Sequence, residues 1–466
     1  MRLAYPPLQN KPLPPAPRWY SSVGVGVVAL GLAIGTGELI LWPHLTTKYG
    51  LGILWGAVLG LTFQLFINKE VARHSLATGE SFFLTSARVF RWLVWVWLVS
   101  AFALYIWPGW ASALGTILVE LVGFGDHRLW SWGMLVILLG ITFIGKSAYA
   151  TLERTLKIIV PIFFVMLVAV SFANLEWRQV GEGLRGMVNI GWIPPGIDRG
   201  VLFGAIVFAG TGGLLNLCVS LWYRDKLAGM GAYMGRLTNP VTGTEESASA
   251  TGFSFEPNAQ NLQKWKGWMR YVAVDQALIF WFLGLTSLVL LSLNAYAVLT
   301  PRGQVPEGLN IAVLQATIFG EQWGVIGTKI FLVMAFLMLF SVMWAIISAF
   351  TRIVTDILYV NAHAGPYQKY FSRFRTWSSS RVYYTLVVVL VIIQAALIPF
   401  NAPLVYLTLT SVLGGFLMAV YVPLLLYVNN RRLPKPLRPG IFTNTVLAMA
   451  GVFYLALSCF VLIESL

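Results

Sequence analysis

The sequence predicts an all-α polytopic membrane protein with about eleven transmembrane helices, arranged as a 5+5 inverted repeat with broken helices 1 and 6 plus an extra C-terminal helix. Three features predict it: an apolar composition, regularly spaced apolar stretches, and glycine-rich interruptions at matching positions of the two halves. Hydrophobic residues make up 58% of the 466-residue chain and charged residues 11%, whereas soluble domains are about 25% charged. Such a chain has too little polar surface to fold in water.

Apolar stretches of about 20 residues are long enough to cross a bilayer, and only helices satisfy the backbone of such single segments. Each predicted span is an apolar segment of this kind. The eleven predicted spans are 22–46, 51–69, 92–123, 129–145, 157–174, 200–222, 272–294, 323–350, 382–399, 402–428 and 441–463.

The order of the spans predicts four regions. Residues 1–19 form a Pro-rich cytoplasmic tail, and 20–175 form the first five-helix repeat. The second repeat covers 176–428 and includes a long cytoplasmic loop at 223–271, in which the segment NLQKWKGWMRY is expected to form a short helix at the membrane surface. Residues 429–466 form a linker and the eleventh helix.

The basic residues predict the orientation. With the N-terminus in the cytoplasm, 25 of the 32 Lys and Arg residues fall on the cytoplasmic side and six on the outside, which favours a cytoplasmic N-terminus and an external C-terminus. This placement accounts for the net charge of +14 without nucleic-acid binding, because the basic residues lie at helix ends. The protein is therefore predicted to be an integral protein of a bacterial inner membrane. Its expected partners are the lipid bilayer and a small ion or solute.

Two glycine-rich interruptions mark the candidate substrate site. The tripeptide Gly-Thr-Gly occurs at 35–37, in the middle of predicted span 1, and at 210–212, in the middle of span 6. Glycines weaken a helix, and five intervening spans give the two repeats opposite topology, so these positions predict a transporter's midplane site. Close packing of helices through small residues is the alternative interpretation. The predicted substrate-binding residues are Gly35, Thr36, Gly37, Glu38, Ala209, Gly210, Thr211, Gly212 and Asn216.

Glu38 directly follows the first interruption. A carboxylate near the bilayer centre is costly, and such residues usually face a cavity, an ion or a partner. Glu38 is therefore predicted to bind a metal ion or an ammonium group, or to carry a proton. Alternatively, it is protonated or paired with a basic residue such as Lys329 or Lys146.

Three further residues are candidates for ion coupling. Asp275, near the start of span 7, is a candidate for a proton path, although a salt bridge explains its position equally well. Ser348 and Thr351 on span 8 could supply oxygen atoms to a sodium ion, but helical Ser and Thr residues more often bond their own backbone.

The sequence contains no motif for a metal site, for nucleotide binding or for catalysis. Neither the two cysteines nor the four histidines have the spacing of a metal site, and no nucleotide-binding loop or catalytic triad is visible. The sequence therefore predicts a protein that is not an enzyme and that needs no cofactor. A divalent cation is expected only as its transported substrate.

The whole chain resembles the Nramp family of divalent-metal transporters. The resemblance lies in the number of spans, the loop lengths and the order of several short motifs, none decisive by itself. These are GVGVVALGLAIGTGELI and TTKYGLGILWG in spans 1 and 2, ARHSLATG at 72–79, LGT at 114–116, AVDQ at 273–276 and PLLL at 423–426. The resemblance implies the leucine-transporter type of fold.

The departures from the family fall on its chemistry. Its metal-binding Asp-Pro-Gly-Asn is replaced here by residues 35–38, with Gly35 and Glu38 at the ligand positions, and its Met-Pro-His by 212–214. Its span 3 carboxylates and its span 10 glutamine are also replaced. Those positions correspond to Phe102, Gly109, Ser112 and Phe416. Without the thioether, a hard cation such as Mg²⁺ is favoured over Mn²⁺ or Fe²⁺, bound by Glu38 and by the carbonyls of Gly35, Ala209 and Gly210.

Two other functions remain open. The Gly-Thr-Gly of span 1 also resembles the first-helix motif of amino-acid–polyamine transporters, which implies an amino-acid, amine or other organic solute carrier. A protein that keeps the fold without transporting anything is the third possibility.

Overall fold

A computed structural model describes residues 5–18, 24–144, 148–235, 237–238, 248–305, 311–400 and 403–465. Nearly all regular structure in these ranges is helical, as predicted. Here "span" denotes a helix, or a pair of half-helices, that crosses the bundle. The spans, in chain order, are Val25–Tyr49, Leu51–Thr78, Leu93–Val122, His127–Ile144, Ala148–Asn174, Arg199–Val207 with Gly213–Asp225, Ala259–Leu299, Ile311–His363, Ser379–Leu397, Pro403–Arg431 and Ile441–Ser465.

The described residues contain ten helices that are long and apolar enough to cross a membrane. The eleventh predicted span, span 6, divides into two half-helices that are each too short to cross alone. The count of about eleven spans and the all-α class are therefore confirmed. The end of the bundle where span 1 begins is called the tail end below, and the opposite end the far end.

Burial places the first span at the centre of the bundle. The most apolar window of span 1 is 100% buried, whereas the corresponding windows of spans 4 and 11 are only 28% buried. The exposed residues of spans 4 and 11 are mostly large and apolar, including Val136, Ile137, Leu455 and Ile463. Spans 4 and 11 therefore present the surface expected of lipid-facing helices.

Span 1 differs from the predicted broken helix. The segment Ile34–Leu41 is a π-helix that joins Val25–Ala33 to Trp42–Tyr49 without an unwound residue. A π segment keeps each backbone group hydrogen bonded, to a partner one residue further away. Span 7 contains a second π segment, Asp275–Leu283. The weakening of the helix by glycine thus appears in span 1 as a change of winding.

Three helical features extend or add to the predicted elements. The short surface helix predicted at 261–271 is part of a longer helix, Ala259–Val274, which forms the beginning of span 7 and is continuous with its π segment. Span 8 begins with an additional far-end helix that precedes a kink at Gly324, where φ is +60°. A further helix, Trp177–Val188, lies at the far end between spans 5 and 6 and begins with a capping box at Glu176 and Gln179.

The Pro-rich segment 5–18 is ordered against the tail end. Gln9–Asn10 pairs in parallel with Phe253–Ser254, and the side chains of Tyr5 and Leu13 are buried. The segment is called the strap below.

Candidate functional site

Span 6 is broken at the centre of the bundle. Its first half-helix ends at Val207 and its second begins at Gly213. Gly212 and Gly213 have φ values of +59° and +52°, a conformation that glycine adopts without the steric cost of a Cβ atom. Two consecutive glycines therefore let the chain leave the helix and enter it again within five residues.

The side chain of Gln64, on span 2, bridges this break. Its Nε2 donates to the carbonyl of Val207 at 2.8 Å, and its Oε1 accepts from the N–H of Gly212 at 2.8 Å. Broken helix ends carry backbone groups without helical partners, and burying them unpaired is costly. One amide thus satisfies a carbonyl on one side of the break and an N–H on the other. Gly210 leaves the room for it, because a Cβ there would lie 2.5 Å from the Gln64 oxygen.

A network of amides and hydroxyls surrounds the break. Asn216 Nδ2 donates to Thr211 Oγ1 and Asn68 Oδ1, both at 2.8 Å, and lies 3.3 Å from Gln64 Oε1. Tyr421, on span 10, donates to the carbonyl of Gly213 at 3.0 Å and lies 3.1 Å from Asn216 Oδ1. The structure thus brings the predicted residues Thr211, Gly212 and Asn216 together in a network of uncharged polar groups.

The glycines of span 1 allow close approach to neighbouring spans. A Cβ atom on Gly37 would lie 1.6 Å from the carbonyl oxygen of Phe208 and 3.3 Å from the nitrogen of Ala209. A Cβ on Gly35 would lie 2.0 Å from the side chain of Val342 on span 8. The two interruptions therefore meet, with Gly37 directly against the break in span 6. The side chain of Thr36 is outside the described residues.

Glu38 is buried in apolar surroundings with a single polar partner. Ser287, on span 7, donates to Glu38 Oε2 at 2.5 Å, and Oε1 has no hydrogen-bond partner in the described part of the chain. A Cβ on Gly284 would stand 3.7 Å from that oxygen, with the side chains of Leu30 and Leu61 beside it. Glu38 therefore faces span 7, and its hydrogen bond is not to the polar network at the break.

Lys329, one of the two predicted basic partners, does not bond to Glu38. Lys329 donates instead to the carbonyl of Leu121 at 3.1 Å, and Lys146 is outside the described residues. Over the ranges that the structure describes, no three His, Cys, Asp or Glu side chains group together as a metal site would require.

Asp275 connects three spans at the tail end. Its carboxylate accepts from the N–H groups of Gly24 and Gly26, at 3.1 and 2.8 Å, and from the hydroxyl of Tyr223 at 2.8 Å. The Gly24 and Gly26 donors belong to the first turn of span 1, so Asp275 stabilises the positive end of that helix. These donors are all uncharged, and both predicted roles of Asp275, in a proton path or in a salt bridge, stay predictions.

Ser348 and Thr351 are both occupied within the protein. Thr351 donates to the carbonyls of Ile347 and Ser348, at 2.8 and 3.0 Å. The hydroxyl of Ser348 lies 3.0 Å from that of Tyr383 and accepts from Arg352 Nε at 3.1 Å. A sodium ion beside Ser348 would lie close to this guanidinium, and the ion pair of Arg352 with Asp225 reduces their repulsion without removing it. Sodium binding by Ser348 and Thr351 stays a prediction, and Arg352 counts against it.

We expect the protein to be indifferent to sodium, because the Arg352 guanidinium supplies the positive charge beside Ser348. The melting temperature of the purified protein should be the same in sodium chloride and in choline chloride at equal ionic strength, since a ligand stabilises only the state that binds it. A melting temperature that is higher in sodium chloride than in choline chloride would show that sodium binds and would contradict this prediction.

Four polar residues of the site were not predicted from the sequence: Gln64, Asn68, Ser287 and Tyr421. Each is an uncharged polar residue inside a span, without the charge of Glu38 or the Gly-Thr-Gly sequence that marked the predicted site. Polar side chains inside spans are the available signal, but the break in span 6 is needed to show which of them matter.

Comparisons with known proteins find similarity at the level of the fold. No family model and no curated protein matches the sequence. Among solved structures, a manganese transporter of Eremococcus coleocola, in complex with an aromatic bis-isothiourea substituted compound, is 13% identical with a TM-score of 0.66, covering 94% of this chain and 85% of that one. Mhp1, a nucleobase-cation-symport-1 family transporter with bromovinylhydantoin bound, is 16% identical with a TM-score of 0.58, covering 96% and 94%. MhsT in complex with L-phenylalanine is 14% identical with a TM-score of 0.53, covering 96% and 99%.

These similarities extend over nearly the whole chain. Together with the broken span 6 and the eleven spans, they define the chain as an all-α polytopic membrane protein with the leucine-transporter type of fold. The three similar proteins carry unlike compounds in their structures, so the fold by itself does not select a substrate.

Proposed function

We propose that this protein is a secondary transporter that carries a cation through the centre of the bundle, with Glu38 as the carboxylate that binds it. The single observation behind this proposal is the buried side chain of Glu38, which, among the residues that the structure describes, has one hydroxyl partner, one unpartnered oxygen and no cationic residue bonded to it. A buried carboxylate without a counter-charge is unfavourable. A cation or a proton that enters the bundle removes this cost.

The adjoining polypeptide would complete the coordination. Carbonyl groups of Gly35, Ala209 and Gly210 are the proposed further ligands, with water retained on the ion. Because Glu38 faces span 7 in the described conformation, this coordination requires its side chain to turn toward the break. Oxygen-only, partly hydrated coordination suits a hard divalent cation of the Mg²⁺ type better than a soft metal. The similarity to a manganese transporter is consistent with a divalent ion. The proposal also places the N-terminus in the cytoplasm, because of the basic residues at the tail end.

Contacts join the spans at both ends of the bundle, and Glu38 between them is fully buried, an arrangement that suits alternating access. At the far end, Gln315 of the additional helix donates to the carbonyl of Leu39 at 2.5 Å. At the tail end, Arg224 pairs with Asp356, and Lys226 lies 3.0 Å from Glu153. A transported ion would reach Glu38 only after one of these closures opens.

An organic solute is the second candidate substrate. The observation that favours it is the uncharged network at the break, where the amide of Gln64 pairs with backbone groups and the amide of Asn216 donates to the hydroxyl of Thr211. A solute with adjacent donors and acceptors could replace these side-chain contacts. Because Glu38 lies nearby along span 1, an amine is the favoured organic class, and structures of similar proteins hold L-phenylalanine and bromovinylhydantoin.

Uptake into proteoliposomes tests the proposal. The experiment measures uptake by the wild-type protein and by Glu38→Gln of four kinds of substrate: Mg²⁺, Mn²⁺, an amine and a panel of amino acids. Loss of a carboxylate ligand should lower cation uptake at least about 100-fold, since a buried charge interaction is worth several kcal/mol. Glu182→Gln, which neutralises a partly exposed carboxylate of the far-end helix, is the matched control and should transport normally.

Each outcome assigns the function. Cation uptake that depends on Glu38 supports the proposal, and cation uptake unaffected by Glu38→Gln removes Glu38 from the site. Uptake of only organic compounds favours the second candidate. Silence from a folded, monodisperse sample would indicate a protein that keeps the fold without transporting.

A further inference from the structure

The strap crosses the tail end between two spans that belong to different parts of the closure. At its start, the hydroxyl of Tyr5 donates to Asn361 Oδ1 of span 8 at 2.9 Å. Near its end, Lys264 Nζ and Trp268 Nε1 of span 7 donate to the carbonyls of Leu13 and Pro14 at 2.9 and 3.0 Å. The strap therefore ties the tail ends of spans 7 and 8 to each other.

Contacts between these two attachments hold the strap along its length. Arg88 donates to the carbonyl of Pro6 at 2.8 Å, and Tyr233 donates to that of Pro12 at 2.8 Å. The ammonium group of Lys11 lies 4.6 Å from the ring centre of Tyr233 and 4.2 Å from that of Phe253, which are favourable cation–π distances.

The composition of the strap lowers the cost of this ordering. Prolines occupy positions 6, 7, 12, 14, 15 and 17, and proline restricts the unbound chain. A proline-rich chain has few internal hydrogen bonds to lose and is extended before it binds. Such a segment can dissociate as a unit and bind again in the same register, whereas a helix would have to unfold.

The contacts beneath the strap close the tail end. Asp275 holds the first turn of span 1 and Tyr223 of span 6, and ion pairs join Arg224 to Asp356 and Asp225 to Arg352. These contacts link spans 1, 6 and 7 to span 8. They must separate before the centre of the bundle opens in this direction, and the strap fastens spans 7 and 8 across them.

From this arrangement we propose that the strap is a latch, and that the tail end opens only when the strap releases its contacts with span 7. The inference concerns opening of this end and goes beyond the transport proposal. It is tested without any substrate, so its failure is separable from failure of the transport proposal.

The protein contains its own reporter of opening. Cys218 is wholly buried in the second half of span 6, between the break and the tail-end ion pairs, and Cys459 is exposed on span 11. In a Cys459→Ser background, the reaction of Cys218 with a small thiol reagent requires the tail half of span 6 to become accessible. Mass spectrometry of the peptide that contains Cys218 measures this reaction specifically.

One position of the strap lies close enough to span 7 for a reversible lock. A Cβ atom on Gly267 would be 3.0 Å from the Cβ of Ala16, within about 1 Å of the Cβ separation of about 3.8 Å in disulfides. Ala16→Cys with Gly267→Cys, in the Cys459→Ser background, should therefore form a disulfide on oxidation. The two single cysteine variants, treated with the same oxidant, are the matched controls.

The oxidised double variant should label Cys218 at least about tenfold more slowly than the same protein after reduction, because the lock suppresses the local opening that exposes the thiol. The single variants should label equally in both conditions. Equal labelling of the oxidised and reduced double variant would overturn the proposal.

Loosening the strap is the complementary measurement. Tyr5→Ala removes a buried ring and its hydrogen bond to Asn361, and should accelerate Cys218 labelling by at least about tenfold. If Cys218 labels no faster in Tyr5→Ala than in the Cys459→Ser parent, the strap does not restrain opening and the proposal fails. A melting temperature measured on each variant confirms that the labelling was carried out on folded protein.

Discussion

Gly37→Ala is expected to disrupt the centre of the bundle although it adds only one methyl group. Its Cβ would lie 1.6 Å from the carbonyl oxygen and 2.5 Å from the carbonyl carbon of Phe208. Both atoms are backbone, so no side-chain rotation relieves the clash, and span 1 has to move away from the break in span 6. Overpacking of this kind costs about 3 kcal/mol or more. The melting temperature should fall by at least about 5 °C, and cation uptake should be lost.

Gly140→Ala is the matched control for this substitution. Gly140 is also a helical glycine in a span, but nothing lies within 4 Å of its would-be Cβ. Alanine is favoured over glycine inside a helix by about 1 kcal/mol, so Gly140→Ala should melt at or above the wild-type temperature. A Gly37→Ala protein as stable and active as Gly140→Ala would show that span 1 does not pack against the break.

Arg352→Ala is expected to give the second large effect. The guanidinium of Arg352 is 1% exposed, forms an ion pair with Asp225 and donates to Ser348. Its removal leaves the carboxylate of Asp225 buried without this partner, and breaking a buried pair in this way costs about 3–5 kcal/mol. Thermal or denaturant unfolding of the purified protein measures the loss.

A double-mutant cycle separates the charge effect from the loss of packing. Arg352→Ala with Asp225→Ala removes both charges, so it should be more stable than Arg352→Ala alone. Arg178→Ala breaks the exposed Arg178–Glu182 pair of the far-end helix, and should cost at most about 1 kcal/mol. If Arg352→Ala is as mild as Arg178→Ala, Arg352 does not pair with a buried charge.

Spans 1 and 6 show how far the sequence could predict the site. Both contain Gly-Thr-Gly, and the sequence correctly indicated that they meet at the centre. Only span 6 unwinds, because Gly212 is followed by a second glycine and both adopt positive φ values. The glycines of span 1 instead lie against Phe208 and Val342, and the helix continues with π winding. Identical tripeptides thus gave different backbones, and the neighbouring residues decided which.

The side-chain partners could not be predicted in the same way. A lone Gln64 or Ser287 in an apolar span has no periodicity that points to its partner, since the partner lies on another helix far away in sequence. Glu38 was recognised as unusual because a carboxylate is rare at this depth. Its orientation toward span 7 depends on the local winding of span 1, which composition does not encode.

The π segments of spans 1 and 7 have a mechanical consequence. A π turn advances the chain around the helix axis by a smaller angle per residue than an α turn, which advances about 100°. Rewinding Ile34–Leu41 into α-helix would therefore rotate Glu38 about the axis of span 1 relative to the residues before it. The backbone N–H groups would exchange one carbonyl partner for the adjacent one, so the ladder would stay intact throughout. The carboxyl group now bonded to Ser287 would thus turn to face another neighbour, and the part of span 1 after the segment would rotate with it.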